Sequence, residues 1–138
     1  MADQVRKARY CYVVVPNRPG RGAALLAALA EARVNLVAFS GFPGGGGKAQ
    51  LDFVADDLGA VRRVLQRQGL RPRAVKRCFV VTGDDRIGAV GHHLGRLAEA
   101  KISVTAADAV AAGRNRYGMI LWVKPKDYAR AARVLKAR

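Results

Sequence analysis

The chain repeats itself after 68 residues, and this repeat constrains its fold more than any other feature. The segment Val15–Gly20 of the first copy matches Gly83–Gly88 of the second, and residues 29–36 match residues 97–104. The alignment needs no gap between the two segments. In both copies an apolar run ends in a polar turn, and a helix-like segment and a second apolar run follow. Because self-similarity at a fixed period defines the unit of folding, we predict two related domains, at residues 4–71 and 72–138.

Length and composition indicate that the two copies form one packed protein. A chain of 138 residues is short for two ordinary independent domains, and half-units of this size are only marginally stable alone. An apolar fraction of 51% is typical of a packed body rather than of disorder. The apolar runs are too short to span a bilayer, and residues 1–7 lack the apolar core of a secretory signal. We therefore expect a cytoplasmic protein without a membrane partner.

The pattern of apolar residues predicts the order β-α-β-β-α in each copy. In the first copy, Asp56 or Asp57 is the expected cap of the second helix. The predicted strands are 10–15, 34–42, 49–55, 77–82, 102–111 and 117–124, and the predicted helices are 20–32, 58–68, 87–100 and 126–136. This order predicts an α+β fold of two ferredoxin-like repeats, with antiparallel sheets and the helices on one face. The final strand of the second copy is expected to be missing or supplied by another segment, which would leave an open sheet edge that charge or a partner must protect.

The polar turn of the first copy has the chemistry of a small-anion site. A short loop that ends in Gly20 and opens a helix leaves backbone N–H groups unpaired and directed at one point. Such a point favours a carboxylate, and a glycine lets the ligand approach the backbone closely. Asn17 can both donate and accept hydrogen bonds, which suits a zwitterionic amino acid. Asn35, near the junction between the helix and the next strand, is a further candidate for ligand binding.

These residues resemble the motif of the ACT domains, which are small ferredoxin-like regulatory modules of amino-acid metabolism. The resemblance rests on Asn17-Arg-Pro-Gly20 with Ala32-Arg-Val-Asn-Leu36 and, in the second copy, on Asp85-Arg-Ile-Gly88 with Ala100-Lys-Ile-Ser-Val104. It implies a regulatory module without catalytic activity, which binds an amino acid at an interface between paired repeats or subunits. A homodimer and a regulated enzyme or transcription regulator are the partners that it implies. The ligand-binding residues that it implies are Asn17, Arg18, Pro19, Gly20 and Asn35 in the first copy, and Asp85, Arg86, Ile87, Gly88 and Ser103 in the second.

The second copy departs from the family's motif at two positions. Ile87 stands where the family has proline, and Ser103 where it has asparagine. A changed ligand preference or a purely structural role is therefore expected of the second turn, and the first turn is the expected ligand site. For both turns an alternative is that the Asn or Asp only caps a helix and that the glycine only makes a turn.

The remaining features support other functions less well. A net charge of +15 attracts polyanions, which makes nucleic-acid binding on the sheet an alternative, with Tyr12 and Phe79 as the available stacking residues. A ligand-free assembly subunit is a third hypothesis. Cys11 and Cys78 lack the spacing of a metal or redox site, and the adjacent His92 and His93 would point about 100° apart on a helix. We expect neither a metal nor a cofactor, and no catalytic site.

Overall fold

The computed structural model describes residues 3–138 and confirms the predicted α+β fold. Met1 and Ala2, on which part of the expectation about a secretory signal rests, lie outside the described residues. A 3-10 turn at Pro125–Asp127 precedes the last helix. The elements in these residues are β1 Gln4–Pro16, α1 Arg21–Glu31, β2 Ala38–Gly45, β3 Lys48–Val54, α2 Leu58–Arg67, β4 Lys76–Asp84, α3 Ala89–Glu99, β5 Val104–Gly113, β6 Arg116–Val123 and α4 Tyr128–Leu135. None of these helices is long and apolar enough to cross a membrane.

Contacts between residues divide the chain into two compact units. The first unit is Arg9–Lys76, and the second consists of the described residues up to Ala8 together with Arg77–Arg138. Strand β1 therefore supplies residues to both units. This division by contacts differs from the predicted repeat limits only at residues 4–8 and 72–76.

The first unit has a three-stranded antiparallel arrangement in which β3 pairs with both β1 and β2. Its core forms because apolar side chains alternate along β1, where Cys11, Val13 and Val15 are buried, and they pack with residues of both helices. Asp57 caps α2 by accepting a hydrogen bond from the backbone N–H of Ala60 at 3.1 Å, as the sequence predicts. The helical core residues are Leu25 and Leu29 of α1 and Leu58, Val61, Val64 and Leu65 of α2.

The second unit repeats this plan, with β6 antiparallel to both β4 and β5. Phe79 of β4 is fully buried and its ring stacks on that of Tyr128, with centroids 4.4 Å apart. The core also contains Val81, Leu97, Met119, Leu121, Ala131 and Leu135. Cys78, like Cys11, is buried in the core of its unit.

The first helix of each unit ends in the same way. Arg33 and Lys101 have left-handed backbones, with φ of +61° and +60°. The next residue in each case, Val34 or Ile102, donates its N–H to the carbonyl of Leu29 or Leu97 at 2.9 Å. This is the hydrogen-bond pattern of a Schellman cap. It delays the following strand, so that β2 begins at Ala38 rather than at the predicted residue 34.

The end of the chain contacts the beginning of β1. Among the described residues no strand follows α4. The backbone N–H of Lys7 donates to the Arg138 carbonyl at 2.8 Å, and the N–H of Arg138 donates to the Val5 carbonyl at 3.0 Å. These backbone groups of the second unit are therefore paired. The predicted strand of residues 10–15 is longer than expected because β1 extends back to Gln4.

Candidate functional site

The first turn, Asn17–Gly20, connects β1 to α1 and is exposed throughout. Gly20 has φ +87° and precedes the first residue of α1, which has no side-chain cap. No side chain among residues 3–138 pairs with those of Asn17 or Arg18. An uncapped helix start beside a free amide and a free guanidinium can receive an anion.

The second turn, Asp85–Gly88, has the same backbone. Gly88 has φ +84° and precedes α3, which also has no side-chain cap. The first residue of each turn donates its backbone N–H to a carbonyl in the β-hairpin loop that comes later in the same unit. Asn17 donates to the Gly47 carbonyl at 2.8 Å, and Asp85 donates to the Asn115 carbonyl at 2.7 Å. The two turns are therefore built alike, and they differ in their side chains.

The two residues expected to reach the turns from beyond the helices are both exposed. Asn35 lies between α1 and β2, and Ser103 lies between α3 and β5. Ser103 is not among the residues that line the cleft at the second turn, and neither is Ile87, whose side chain is fully exposed. The second-turn residues that the structure brings to that cleft are Asp85, Arg86 and Gly88.

The second turn holds a carboxylate that belongs to the chain itself. The guanidinium of Arg86 donates two hydrogen bonds to Asp3, one to each carboxylate oxygen, at 3.0 and 3.2 Å. The Tyr117 hydroxyl donates to Oδ2 of Asp3 at 2.5 Å, and Nε2 of His93 lies 2.7 Å from the same oxygen. We call Arg86, His93 and Tyr117 the carboxylate cradle.

The cradle is buried on its inner side and strongly favours the charged form of Asp3. Burial alone would raise the pKa of this carboxyl group, but the hydrogen bonds from Arg86, Tyr117 and His93 together hold it well below its usual range. Burial and the hydrogen bond to Asp3 raise the pKa of Tyr117 above its usual range. The hydroxyl of Tyr117 therefore stays a donor, because an ionised carboxylate can only accept.

Two further features adapt the surroundings to this carboxylate. A Cβ atom at Gly83 would lie 1.9 Å from Oδ1 of Asp3, so only glycine leaves room for the side chain. His93 is buried, and its Nδ1 has no hydrogen-bond partner among the described residues. Because Nε2 faces a carboxylate that can only accept, Nε2 is the donor of this pair.

A cleft of about 270 Å³ opens beside the cradle. Arg86 and Tyr117 belong to both the cleft and the cradle. The rest of the lining is mostly small or apolar and comes from the start of α3 and from β5: Gly88, Ala89, Val90, Gly91, Ala109, Val110 and Ala111, with Asp85 of the turn. The cleft can therefore accept a small molecule with an anionic end and a short apolar part.

Sequence reasoning identified Arg86 but not its partners. His92 is exposed and His93 is buried, as expected for side chains that point about 100° apart, but the sequence did not predict the carboxylate that His93 contacts. Asp3 is 83 positions from Arg86, 90 from His93 and 114 from Tyr117. No local spacing carries such a signal.

A second cleft of about 320 Å³ in the second unit is basic. Four cations line it and no acid does. The guanidinium of Arg77 lies 4.2 Å from the ring centroid of Tyr128, a cation–π geometry that fixes its position. The other lining residues are Lys7, Ala129, Ala132, Arg133, Lys136 and Ala137.

Comparison with known proteins relates the chain to solved structures only. No protein-family model matches it, and no curated protein does. Protein BT0572 from Bacteroides thetaiotaomicron is similar in structure, with a TM-score of 0.72 and 20% identity over 97% of this chain and 88% of that one. The regulatory subunit of aspartate kinase from Thermus thermophilus has a TM-score of 0.67 and 16% identity over 98% and 93%.

A third solved structure is that of a whole enzyme. E. coli aspartokinase III, in complex with aspartate and ADP, has a TM-score of 0.58 and 14% identity over 97% of this chain and 32% of that one. At these identities the likeness is one of fold. The chain has an ACT-like, ferredoxin-type fold of the kind found in regulatory subunits of aspartate kinase.

Proposed function

We propose that this chain is a tandem regulatory module that binds a small amino acid at the first turn and has no catalytic activity. The observation that carries the proposal is the pair of unengaged side chains, Asn17 and Arg18, at an uncapped helix start. The second turn supports it, because there the same backbone accompanies a bound carboxylate. The likeness of the fold to regulatory subunits of aspartate kinase supports the same class of function.

Each residue of the first turn has a separate role in this proposal. Arg18 pairs with the ligand carboxylate, and the backbone N–H groups after Gly20 add the field of the helix N-terminus. Pro19 fixes the backbone before that helix. The amide oxygen of Asn17 accepts from the ligand ammonium group. Asn35 completes the site from a second subunit.

Regulation follows from where the ligand binds. We propose a homodimer whose interface includes the first turn, so that the ligand changes the geometry or the stability of that interface. The regulated partner is an enzyme or a transcription regulator of amino-acid metabolism. The solved relatives include a regulatory subunit of aspartate kinase, which makes that class of enzyme the first to test.

Calorimetry and thermal-shift assays against the common amino acids test the proposal. We expect one of them to bind and to raise Tm, with both effects lost in Asn17→Ala and in Arg18→Ala. Asp85→Ala is the matched control, because Asp85 is the equivalent residue of the second turn. If no amino acid gives heat or a shift, or if Asn17→Ala binds as the wild type does, the first turn is not the site. Light scattering with and without the ligand tests the dimer.

The basic cleft favours a second candidate function, the binding of nucleic acid through its phosphates. The cations Lys7, Arg77, Arg133 and Lys136 line one cleft without an acid, and phosphate groups are complementary to such a surface. The hypothesis that nucleic-acid bases stack on aromatic residues of the sheet is weakened, because Phe79 is fully buried and cannot contact a base.

A mobility-shift assay separates specific from purely electrostatic binding. Binding that survives about 200 mM salt supports a specific site, because purely electrostatic binding falls steeply with salt. Arg77→Gln with Lys136→Gln removes two cations of the cleft. Arg33→Gln with Arg114→Gln removes the same charge elsewhere and is the control. Equal losses in the two double variants would assign the binding to net charge alone.

A further inference from the structure

We propose that the carboxylate cradle is a binding site for small carboxylates that Asp3 fills in cis, so that an external carboxylate competes with Asp3. The proposal rests on the proposed function, because it gives the second turn the same class of ligand as the first. The new element of this proposal is that Asp3 of the same chain occupies the second site and competes there with an external carboxylate. The first turn has no such competitor among the described residues.

The cradle has the properties of a built ligand site. Arg86 bonds both oxygens of the carboxylate, and Tyr117 and His93 add two contacts to one of them. The side chain of Asp3 is only 5% exposed and that of His93 only 4%. Two parallel guanidinium bonds are specific for a planar carboxylate. The donors would bind the carboxylate of a free ligand with the same geometry.

The cleft supplies the path by which such a ligand reaches the cradle. Arg86 and Tyr117 face both spaces, so an entering carboxylate meets two of the three donors without passing the buried His93. Beyond them the cleft is lined by Val90, Ala109 and Val110. Its volume is below that of pockets that hold drug-sized molecules. The ligand class is therefore a small carboxylate with a short apolar part.

Competition in cis sets the concentration that an external ligand needs. A group tethered by a short chain acts at an effective concentration of about millimolar or more. Asp3 directly precedes β1, which begins at Gln4, so its tether is short. We expect the wild-type second turn to respond only to millimolar or higher carboxylate. The first turn has no internal competitor among the described residues and responds at lower concentrations.

Displacement of Asp3 would affect the start of β1, which packs in the core of the second unit. Val5 is buried in the core of this unit, and its carbonyl accepts from Arg138. An external carboxylate in the cradle therefore shifts the equilibrium between a docked and a released start of β1. Ligand binding at the second turn is in this way coupled to the order of the beginning of β1.

Chemical rescue tests the proposal with formate as the probe. Asp3→Ala empties the cradle and leaves its three donors in place. We expect about 100 mM sodium formate to raise the Tm of Asp3→Ala by at least about 2 °C relative to equal sodium chloride, because this variant has no internal carboxylate to compete. The wild type should change much less, because formate must first displace Asp3 from the cradle. The rescue should disappear in Asp3→Ala with Arg86→Gln.

Asp127→Ala is the matched control for the loss of a carboxylate. Asp127 pairs with Arg130 at 3.3 Å. The two arginines are similarly exposed, Arg130 at 45% and Arg86 at 43%, whereas Asp127 at 15% is more exposed than Asp3 at 5%. Formate should not rescue Asp127→Ala. A Tm of Asp3→Ala that formate leaves unchanged, or equal rescue of both variants, would overturn the proposal.

Asp3→Asn is the second test if Asp3→Ala does not fold. The amide keeps the volume of the side chain and removes its charge, so it is a weaker competitor. Formate is titrated against the His93 ring signals in the NMR spectrum, and we expect half-saturation at a concentration at least about tenfold lower than in the wild type. Equal half-saturation would refute competition in cis. Because formate has no amino group, these tests can fail while amino-acid binding at Asn17 succeeds, and the reverse.

Discussion

The two turns share a backbone and differ in what surrounds it. Gly20 and Gly88 have nearly the same φ, +87° and +84°, and each opens a helix without a side-chain cap. Yet the arginine of the first turn, Arg18, has no side-chain partner among residues 3–138, whereas Arg86 is bonded to Asp3 through both oxygens. The backbone alone therefore does not decide which turn is available to a ligand.

The cause of the difference lies in three positions outside the turns. His93, Tyr117 and Gly83 of the second copy correspond to Leu25, Ala49 and Val15 of the first, in each case 68 positions earlier. The correspondence holds in space, because Gly83 pairs with Tyr117 in the same way as Val15 pairs with Ala49. The first copy has apolar side chains where the second has two donors and an open space. A repeat can thus keep its turn and change its function by substitutions in neighbouring strands and helices.

The largest effect on this comparison is expected from Gly83→Ala. The new Cβ would lie 1.9 Å from Oδ1 and 2.5 Å from Cγ of Asp3, so either the side chain leaves the cradle or the strand moves. We expect a loss of about 2–3 kcal/mol in the free energy of unfolding, measured by urea denaturation. In the Asp3→Ala background the same substitution should cost much less, because the clash with the Asp3 carboxylate is then absent.

Gly91→Ala is the control for this variant. Gly91 lies inside α3 with open space around it, so alanine there should stabilise the helix by up to about 1 kcal/mol. A Gly83→Ala protein as stable as the wild type would show that Asp3 is not held in the cradle.

Local chemistry explains which parts of this comparison could be predicted from the sequence. The turns, the helix starts and the Asp57 cap depend on residues within a few positions of each other, and the structure places them within two residues of the prediction. The late start of β2 was missed because Arg33, a non-glycine residue, adopts the left-handed conformation. The Asp3 contacts were missed because they join positions at least 83 residues apart.

A smaller effect, which depends on pH, is expected from Asp3→Asn. The folded protein holds the pKa of Asp3 below its ordinary value of 3.8, so ionised Asp3 stabilises the fold above that value, and this contribution is lost as the pH falls below it. We expect Asp3→Asn to cost about 1–2 kcal/mol at pH 7, with the difference from the wild type closing below about pH 4. The groups that face Asp3 are Arg86, His93 and Tyr117.

Urea denaturation at several pH values measures this difference. Asp127→Asn, in which the carboxylate faces Arg130 alone, should show a smaller gap. A gap for Asp3→Asn that stays constant from pH 7 to pH 3 would mean that the charge of Asp3 does not contribute, and the second turn would then differ from the first in packing only.

The smallest effect is expected from Arg18→Ala, which tests whether the arginine of the first turn is unengaged. Because Arg18 is exposed and has no side-chain partner among the described residues, its truncation should change the free energy of unfolding by no more than about 0.5 kcal/mol. Arg86→Ala should lower Tm clearly more, since it leaves the nearly buried carboxylate of Asp3 with two donors instead of three. Thermal unfolding without ligand measures both. Equal shifts in the two variants would mean that the arginines are equally engaged, and the first turn would then have no free cation to offer an amino acid.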